Sequence, residues 1–168
     1  MTPARILVAG IGNIFLGDDA FGVEVVRRLA ARPLPPGVEA RDFGIRGLDL
    51  AWSLQDGYDA VILVDAVSRG EPPGTLHILE PEAGLPAACL EPHQLDPARV
   101  LQLVRAQGGR LPLLRLVGCE PGTFEPGQEL SDPVRAAVDG AVGVLVALIG
   151  QLRESWQQPG GAGDDGIG

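Results

Sequence analysis

Short apolar runs alternate with helix-like patterns along most of the chain. Five apolar runs, each bounded by glycine, proline or polar residues, predict β-strands at residues 4–10, 38–43, 60–67, 75–79 and 113–119. Apolar residues that recur every three or four positions predict helices over residues 19–32, 47–55 and 95–107, and a last helix that starts at Ser131 or Asp132. The alternation of the two kinds of element is typical of an α/β protein.

The run over residues 60–67 is apolar on both faces, as is typical of a central strand in a parallel sheet. The strand at 75–79 follows after a loop too short for a parallel crossover, so we expect it to run in the opposite direction. The pattern therefore predicts a three-layer α/β sandwich. Its five-stranded, mostly parallel sheet has the order 2-1-3-4-5 with one antiparallel strand, and helices cover both faces. In this order the carboxyl ends of strands 1 and 3 flank a crevice in which ligands bind.

Composition and charge narrow the possible functions. The 168 residues suffice for one domain, expected over residues 1–156, with a glycine-rich, disordered tail at 157–168. A formal net charge of −9 argues against nucleic acid as a partner, and the absence of lysine excludes mechanisms that need one. The longest apolar run, Ala141 to Ile149, is too short to cross a bilayer, and no export signal opens the chain. We expect a cytoplasmic protein without a membrane partner.

Side chains that can bind metals occur where the predicted fold brings the chain to one edge of the sheet. Asp18 and Asp19 follow strand 1, Asp65 ends strand 3, and His93 precedes the third helix. A buried carboxylate such as Asp65 is costly unless it is paired or bound to a cation. Two carboxylates and one imidazole can hold a divalent transition metal and leave positions open for substrate or water. Asp19 lies at the amino end of the first helix, where the helix dipole favours its ionised form.

Each candidate also has a purely structural interpretation. One residue of the pair Asp18 and Asp19 is expected to cap the first helix. Asp65 can accept hydrogen bonds from a turn, and His93 can be an ordinary loop histidine. His77, within a strand, is interpreted as structural. The convergence of the other positions on one crevice favours the functional interpretation.

Three other functions use parts of the same pattern. A dinucleotide site fails because Phe15 stands where the motif beginning Gly10-Ile-Gly12 needs its third glycine. A phosphorylatable receiver domain would need a lysine. A metal-binding or carrier module without catalysis would use the same ligands and stays open. Cys89 and Cys119 lack the spacing of a zinc site and are expected to be reduced thiols, with packing the favoured role for Cys119.

Several segments resemble, in order, the motifs of the hydrogenase maturation endopeptidases. They are Gly10-Ile-Gly-Asn-Ile-Phe-Leu-Gly-Asp-Asp-Ala-Phe-Gly22, Val64-Asp65-Ala66, Pro92-His93-Gln94-Leu95 and Gly118-Cys-Glu-Pro121, followed by Glu125-Pro126 and Leu130-Ser131. The chain departs from the family at Asp42-Phe43-Gly44-Ile45-Arg46-Gly47, where members often have Asp-Gly-Gly-Thr. Asp42 is retained, but its neighbours differ.

The resemblance implies the same α/β fold and a nickel-dependent endopeptidase. Members of the family remove a short carboxy-terminal extension from the large-subunit precursor of a [NiFe] hydrogenase after nickel insertion. Transferred to this chain, the family's nickel-recognising residues are Asp19, Asp65 and His93, and Asp42 is implied to matter for activity. The nickel is carried by the substrate, although other divalent metals can occupy such a site. The sequence shows no exposed apolar stripe that demands a dimer, so we expect a monomer that acts on the precursor.

Overall fold

The computed structural model describes residues 2–80 and 111–157. The elements are β1 (Ile6–Ile11), a 3-10 turn (Gly17–Ala20), α1 (Phe21–Ala30), β2 (Val38–Gly44), α2 (Gly47–Leu54), β3 (Ala60–Ala66), β4 (Leu76–Leu79), β5 (Leu113–Cys119) and α3 (Asp132–Gln157). Each lies within a few residues of a predicted element. The helix predicted over 95–107 falls outside the described residues, as does all of the predicted tail beyond Gln157, the last residue of α3.

The strands form one mixed sheet in the order β2-β1-β3-β5-β4. The first four are parallel to one another and β4 is antiparallel to β5, which confirms the mostly parallel α/β sheet and its one reversed strand. The predicted order 2-1-3-4-5 is wrong, because β5 lies beside β3 and β4 lies at the edge. Burial explains the observed order. The side chains of β5 are largely buried, as suits a strand inside the sheet, whereas none of the four residues of β4 is fully buried, as is typical of an edge strand.

Helices on both faces of the sheet create two apolar cores, because successive side chains of a strand point to opposite faces. On one face, Val25 of α1 and Val138 of α3 belong to a cluster that includes Val8 of β1. On the other face, Leu50 of α2 belongs to a cluster that includes Leu63 of β3. The three-layer arrangement is therefore confirmed for the described residues.

Helix α3 is long and apolar enough to cross a membrane by length and composition alone, with 26 residues and a mean hydropathy of 1.6 over an 18-residue window. The core helix of a soluble protein can have the same properties. Its buried side chains join the core cluster that also contains residues of α1, and they include Val134, Val138, Ala141, Leu145, Leu148 and Leu152.

Candidate active site

The acidic pair after β1 lies over the carboxyl ends of two neighbouring strands. Strands β1 and β3 pair in parallel, so their carboxyl ends lie side by side. The 3-10 turn that contains the acidic pair contacts β3 just before α1 begins. The close approach of α1 requires a glycine at its second position. A Cβ on Gly22 would lie 2.1 Å from the carbonyl oxygen of Val64 and 2.4 Å from that of Ile11. Any larger residue would push α1, and the acidic turn with it, away from the strand ends.

Asp19 is held at this edge by the loop that follows β1. The residue is only 1% exposed, and its Oδ2 accepts a hydrogen bond of 2.7 Å from the backbone N–H of Asn13. Gly12 has a φ of 139°, and a Cβ there would lie 1.8 Å from the carbonyl oxygen of Asp19. The same Cβ position is 3.6 Å from Cγ of Asp19, so the absence of a side chain leaves room for the carboxylate. The loop therefore fixes where the Asp19 carboxylate lies.

Asp65 ends β3 close to Asp19. Burial, and then the negative charge of Asp19, raise the pKa of Asp65 well above its usual value. The N–H of Ala66, 2.8 Å from Oδ1 of Asp65, acts in the opposite direction but is outweighed. The two carboxyl groups are therefore near enough for the charge of one to disfavour the charge of the other, and a proton or a divalent cation at this edge would relieve the repulsion. The structure thus brings Asp19 and Asp65 together.

The third predicted ligand, His93, lies outside the described residues. Within residues 2–80 and 111–157, no three His, Cys, Asp or Glu side chains form a group that could hold a metal ion. The described part of the site offers two carboxylates. This donor set suits a divalent cation when a further ligand comes from another part of the chain or from a substrate.

Asp42 lies at the border of this site rather than beside Asp19. Its Oδ2 is 3.3 Å from Nη2 of Arg27, an ion pair that holds the carboxylate against α1. Its Oδ1 is 3.7 Å from where a Cβ on Gly44 would lie. The Gly44 carbonyl in turn accepts a hydrogen bond of 3.0 Å from the N–H of Gly12, the residue that borders Asp19. Asp42 thus lies beside Gly44 and Asp19 lies beside Gly12, and a backbone hydrogen bond joins these two glycines.

Asp18 has a structural role, but it does not cap a helix. Its carboxylate accepts bonds from the N–H groups of Gly122 at 2.7 Å, Thr123 at 3.0 Å and Ser131 at 2.7 Å, and from the Ser131 hydroxyl at 2.7 Å. Helix α1 begins after Ala20, which makes no side-chain cap bond. The predicted cap is therefore wrong, because Asp18 faces the loop between β5 and α3 and not its own helix.

Glu120 is a further buried acid, and although it lies within the Gly118–Pro121 motif, the sequence interpretation gave it no role of its own. It is 5% exposed, and it accepts bonds from the N–H groups of Arg69 at 2.9 Å and Gly70 at 3.1 Å. His77 Nε2 lies 3.2 Å from its Oε2, which agrees with the structural interpretation of that histidine. Burial raises the pKa of Glu120, but these hydrogen bonds outweigh it and the net pKa is lowered. The available signal was an acid directly after an apolar strand, the same feature that marks Asp65.

Cys119 is buried and unsuited to be a nucleophile. Burial, followed by the negative charges of Asp18 and Glu120, raises the pKa of its thiol to about 12. A thiol of this kind stays protonated at neutral pH, and it is the thiolate that reacts. The interpretation of Cys119 as a reduced packing residue agrees with the structure, whereas Cys89 lies outside the described residues.

The fold and the site define an α/β protein with a pair of adjacent carboxylates at the carboxyl edge of its sheet. The family model for hydrogenase maturation protease matches residues 23–148. Hydrogenase 2 maturation protease from Escherichia coli K12 is 40% identical over 156 residues, which cover 90% of this chain and 92% of that protein.

Two solved structures are also similar to this chain. The hydrogenase maturating endopeptidase HybD from E. coli matches with a TM-score of 0.78 and 37% identity, over 88% of this chain and 93% of that one. The [NiFe] hydrogenase maturation protease HycI from Thermococcus kodakarensis KOD1 matches with a TM-score of 0.69 and 28% identity, over 88% of this chain and 94% of that one. The chain belongs to the hydrogenase maturation protease family, and it is therefore an endopeptidase, a hydrolase of peptide bonds.

Proposed function

We propose that this protein removes the carboxy-terminal extension from the large-subunit precursor of a [NiFe] hydrogenase after nickel has been inserted. Its family membership supports a role in hydrogenase maturation, and a similar solved structure is named as a [NiFe] hydrogenase maturation protease. The observation that carries the proposal is the adjacency of Asp19 and Asp65 over the ends of β1 and β3.

Nickel enters this scheme as part of the substrate. Asp19, Asp65 and His93 recognise the nickel ion that the precursor already holds. Two adjacent carboxylates repel each other, and a divalent cation between them replaces that repulsion with attraction on both sides. The metal-free precursor lacks this anchor, so cleavage waits for metal insertion through differential binding.

The chain's own residues hold the substrate for cleavage. The N–H of Asn13 and the space beside Gly12 keep the Asp19 carboxylate at the edge of the crevice. Arg27 holds the Asp42 carboxylate at the border of the site. The Asp42 side chain is 34% exposed, so it is accessible to the precursor. The nickel, once bound, supplies Lewis-acid chemistry, either polarising the scissile carbonyl or activating a water.

The proposal includes a cytoplasmic, monomeric enzyme whose partner is the precursor protein. The formal charge of −9 disfavours nucleic acid as a competing partner.

Substitution of the two carboxylates tests the proposal. Asp19→Asn and Asp65→Asn keep the shape of each side chain but remove its charge, and each is expected to lower the rate of precursor processing by about 100-fold or more. Asp19→Glu restores a carboxylate and is expected to recover activity relative to Asp19→Asn. The rate is measured by intact mass of a nickel-loaded precursor.

Asp49→Asn, at an exposed position of α2, is the matched control and should process at the normal rate. Circular dichroism verifies that each variant is folded. Normal processing by folded Asp19→Asn and Asp65→Asn proteins would refute the assignment of these residues. A protein that binds nickel but releases no peptide would instead be a carrier module, the alternative left open by the sequence.

A further inference from the structure

The segment between β5 and α3 supplies no reacting group to the proposed function, yet it contacts the loop that carries the acidic pair. This 121–131 segment contains the later part of the carboxy-terminal motif seen in the sequence. The backbone N–H of Asp18 donates a hydrogen bond of 2.8 Å to the carbonyl oxygen of Thr123. The N–H of Gly127 donates one of 2.9 Å to the carbonyl oxygen of Phe15. The loop after β1 and the 121–131 segment are therefore joined along their backbones.

The loop after β1 also approaches this segment too closely for a larger residue at one position. Leu16 and Pro126 form an isolated antiparallel β-bridge. The next residue, Gly17, is buried and has a φ of 53°, and a Cβ there would lie 2.8 Å from the carbonyl oxygen of Thr123. Glycine meets both conditions, because it adopts a positive φ without strain and leaves room for the carbonyl. The two stretches of chain thus fit together over several residues.

The Asp18 carboxylate makes the largest number of hydrogen bonds between the loop and the segment. It is fully buried, and its four hydrogen bonds all come from neutral donors of the 121–131 segment. A Cβ on Gly122 would lie 3.2 Å from Oδ2 of Asp18, so this glycine allows the close approach. Hydrogen bonds to an ionised acceptor are stronger than those between neutral groups. Asp18 therefore ties both ends of the segment, at Gly122 and Ser131, to the loop.

The position of Asp19 depends on this attachment. Asp19 directly follows Asp18 in the 3-10 turn, and its N–H donates a bond of 3.0 Å to the carbonyl oxygen of Leu16. The backbone that leads to Asp19 is thus held by the 121–131 segment. Oδ2 of Asp19 accepts its bond of 2.7 Å from the N–H of Asn13. A shift of the turn by about 1 Å would stretch this bond beyond the length at which it is effective.

We propose that Asp18 is a positioning residue, which acts through the 121–131 segment to set where the Asp19 carboxylate lies beside Asp65. The use of Asp19 in nickel recognition rests on the proposed function, but its placement by Asp18 does not. A merely structural role has a different consequence. In that case the loss of Asp18 would lower the stability of the whole protein and leave Asp19 in place in every molecule that stays folded.

Amide hydrogen exchange tests the placement without any substrate. The reporter is the N–H of Asn13, which donates to the Asp19 carboxylate. Exchange at Asn13, measured by NMR under conditions in which the protein is folded, should be at least about tenfold faster in Asp18→Asn than in the wild type, because the loop opens locally more often.

Leu145→Ala is the matched control. Leu145 is fully buried, about 20 Å along α3 from the start of the helix, and its truncation is expected to lower stability about as much as Asp18→Asn. Exchange at Asn13 should stay within about twofold of the wild type in this variant. Ser131→Ala, which keeps the Asp18 charge and removes only the hydroxyl bond, should give a smaller increase at Asn13. It decides the question if Asp18→Asn does not fold.

Processing of the nickel-loaded precursor gives a second measurement. Folded Asp18→Asn should have a kcat/KM at least about tenfold below that of Leu145→Ala, because only the first variant displaces Asp19. An unprotected Asn13 N–H in the wild type, or equal exchange or equal kcat/KM in the two variants, would overturn the proposal. If exchange at Asn13 changes as expected but even the wild type cleaves no precursor, the placement stands and the proposed function fails.

Discussion

The neighbouring residues Asp18 and Asp19 have different tasks. Asp18 accepts four hydrogen bonds from the loop between β5 and α3, whereas Asp19 lies beside Asp65 at the edge of the sheet. The sequence predicts that an acidic pair is present and that one member is structural. It does not predict which residues Asp18 contacts, because its partners at positions 122–131 are more than 100 residues away and carry no local pattern.

Removal of the Asp18 charge should destabilise the protein. In Asp18→Asn an amide NH2 replaces one of the two accepting oxygens, so it faces N–H donors in a fully buried position. We expect a loss of about 2–4 kcal/mol in the free energy of unfolding, measured by urea denaturation. The matched control, Asp56→Asn at an exposed position, should change stability by less than about 0.5 kcal/mol. A loss equal to that of the control would refute the anchoring role.

Burial decides where each strand lies in the sheet. Apolar runs predict the positions of all five strands, and the short loop after β3 predicts the reversed direction of β4. The predicted order of β4 and β5 is wrong because β4 follows β3 in the sequence but does not pair with it; β5 lies between the two strands and pairs with both. The shortness of β4, and the polar His77 within it, favour an edge position, and this signal was available in the sequence.

Glu120 connects the end of β5 to the loop that leads into β4. Its pKa is lowered in the folded protein, because bonds to the N–H groups of Arg69 and Gly70 and to His77 favour its charged form and outweigh the effect of burial. A lowered pKa contributes stability that is present above the usual value of 4.5 and is lost as the pH falls through the folded-state value.

The Glu120→Gln variant should therefore be less stable than the wild type at pH 7, by about 1–3 kcal/mol. The difference should shrink as the pH falls from 7 to about 3.5, because below 4.5 the carboxyl of the unfolded wild-type protein takes up a proton that the lowered pKa of the folded protein resists. Urea denaturation at pH 7 and at about pH 3.5 measures the difference in the free energy of unfolding between the two proteins. Glu154→Gln, at an exposed position near the end of α3, serves as the control and should show a small difference that is similar at both pH values. A Glu120→Gln difference that does not depend on pH would contradict the stabilising role of the charge.

At the level of the whole molecule, acidic residues predominate, and the formal net charge is −9. Two of these acids, Asp19 and Asp65, lie over the carboxyl ends of the central strands β1 and β3. The sequence predicts the acidic residues of the site and the family to which they belong. It does not predict the ion pair between Arg28 and Asp139, because these residues are 111 positions apart and meet only where α1 packs against α3.

The most direct test compares nickel-loaded and nickel-free forms of the large-subunit precursor. Each is mixed with the purified protein, and intact mass is recorded over time. Recognition of substrate-borne nickel by Asp19, Asp65 and His93 predicts loss of a carboxy-terminal peptide from the nickel-loaded form alone. Equal cleavage of both forms would contradict that recognition and leave a peptidase that does not sense the metal.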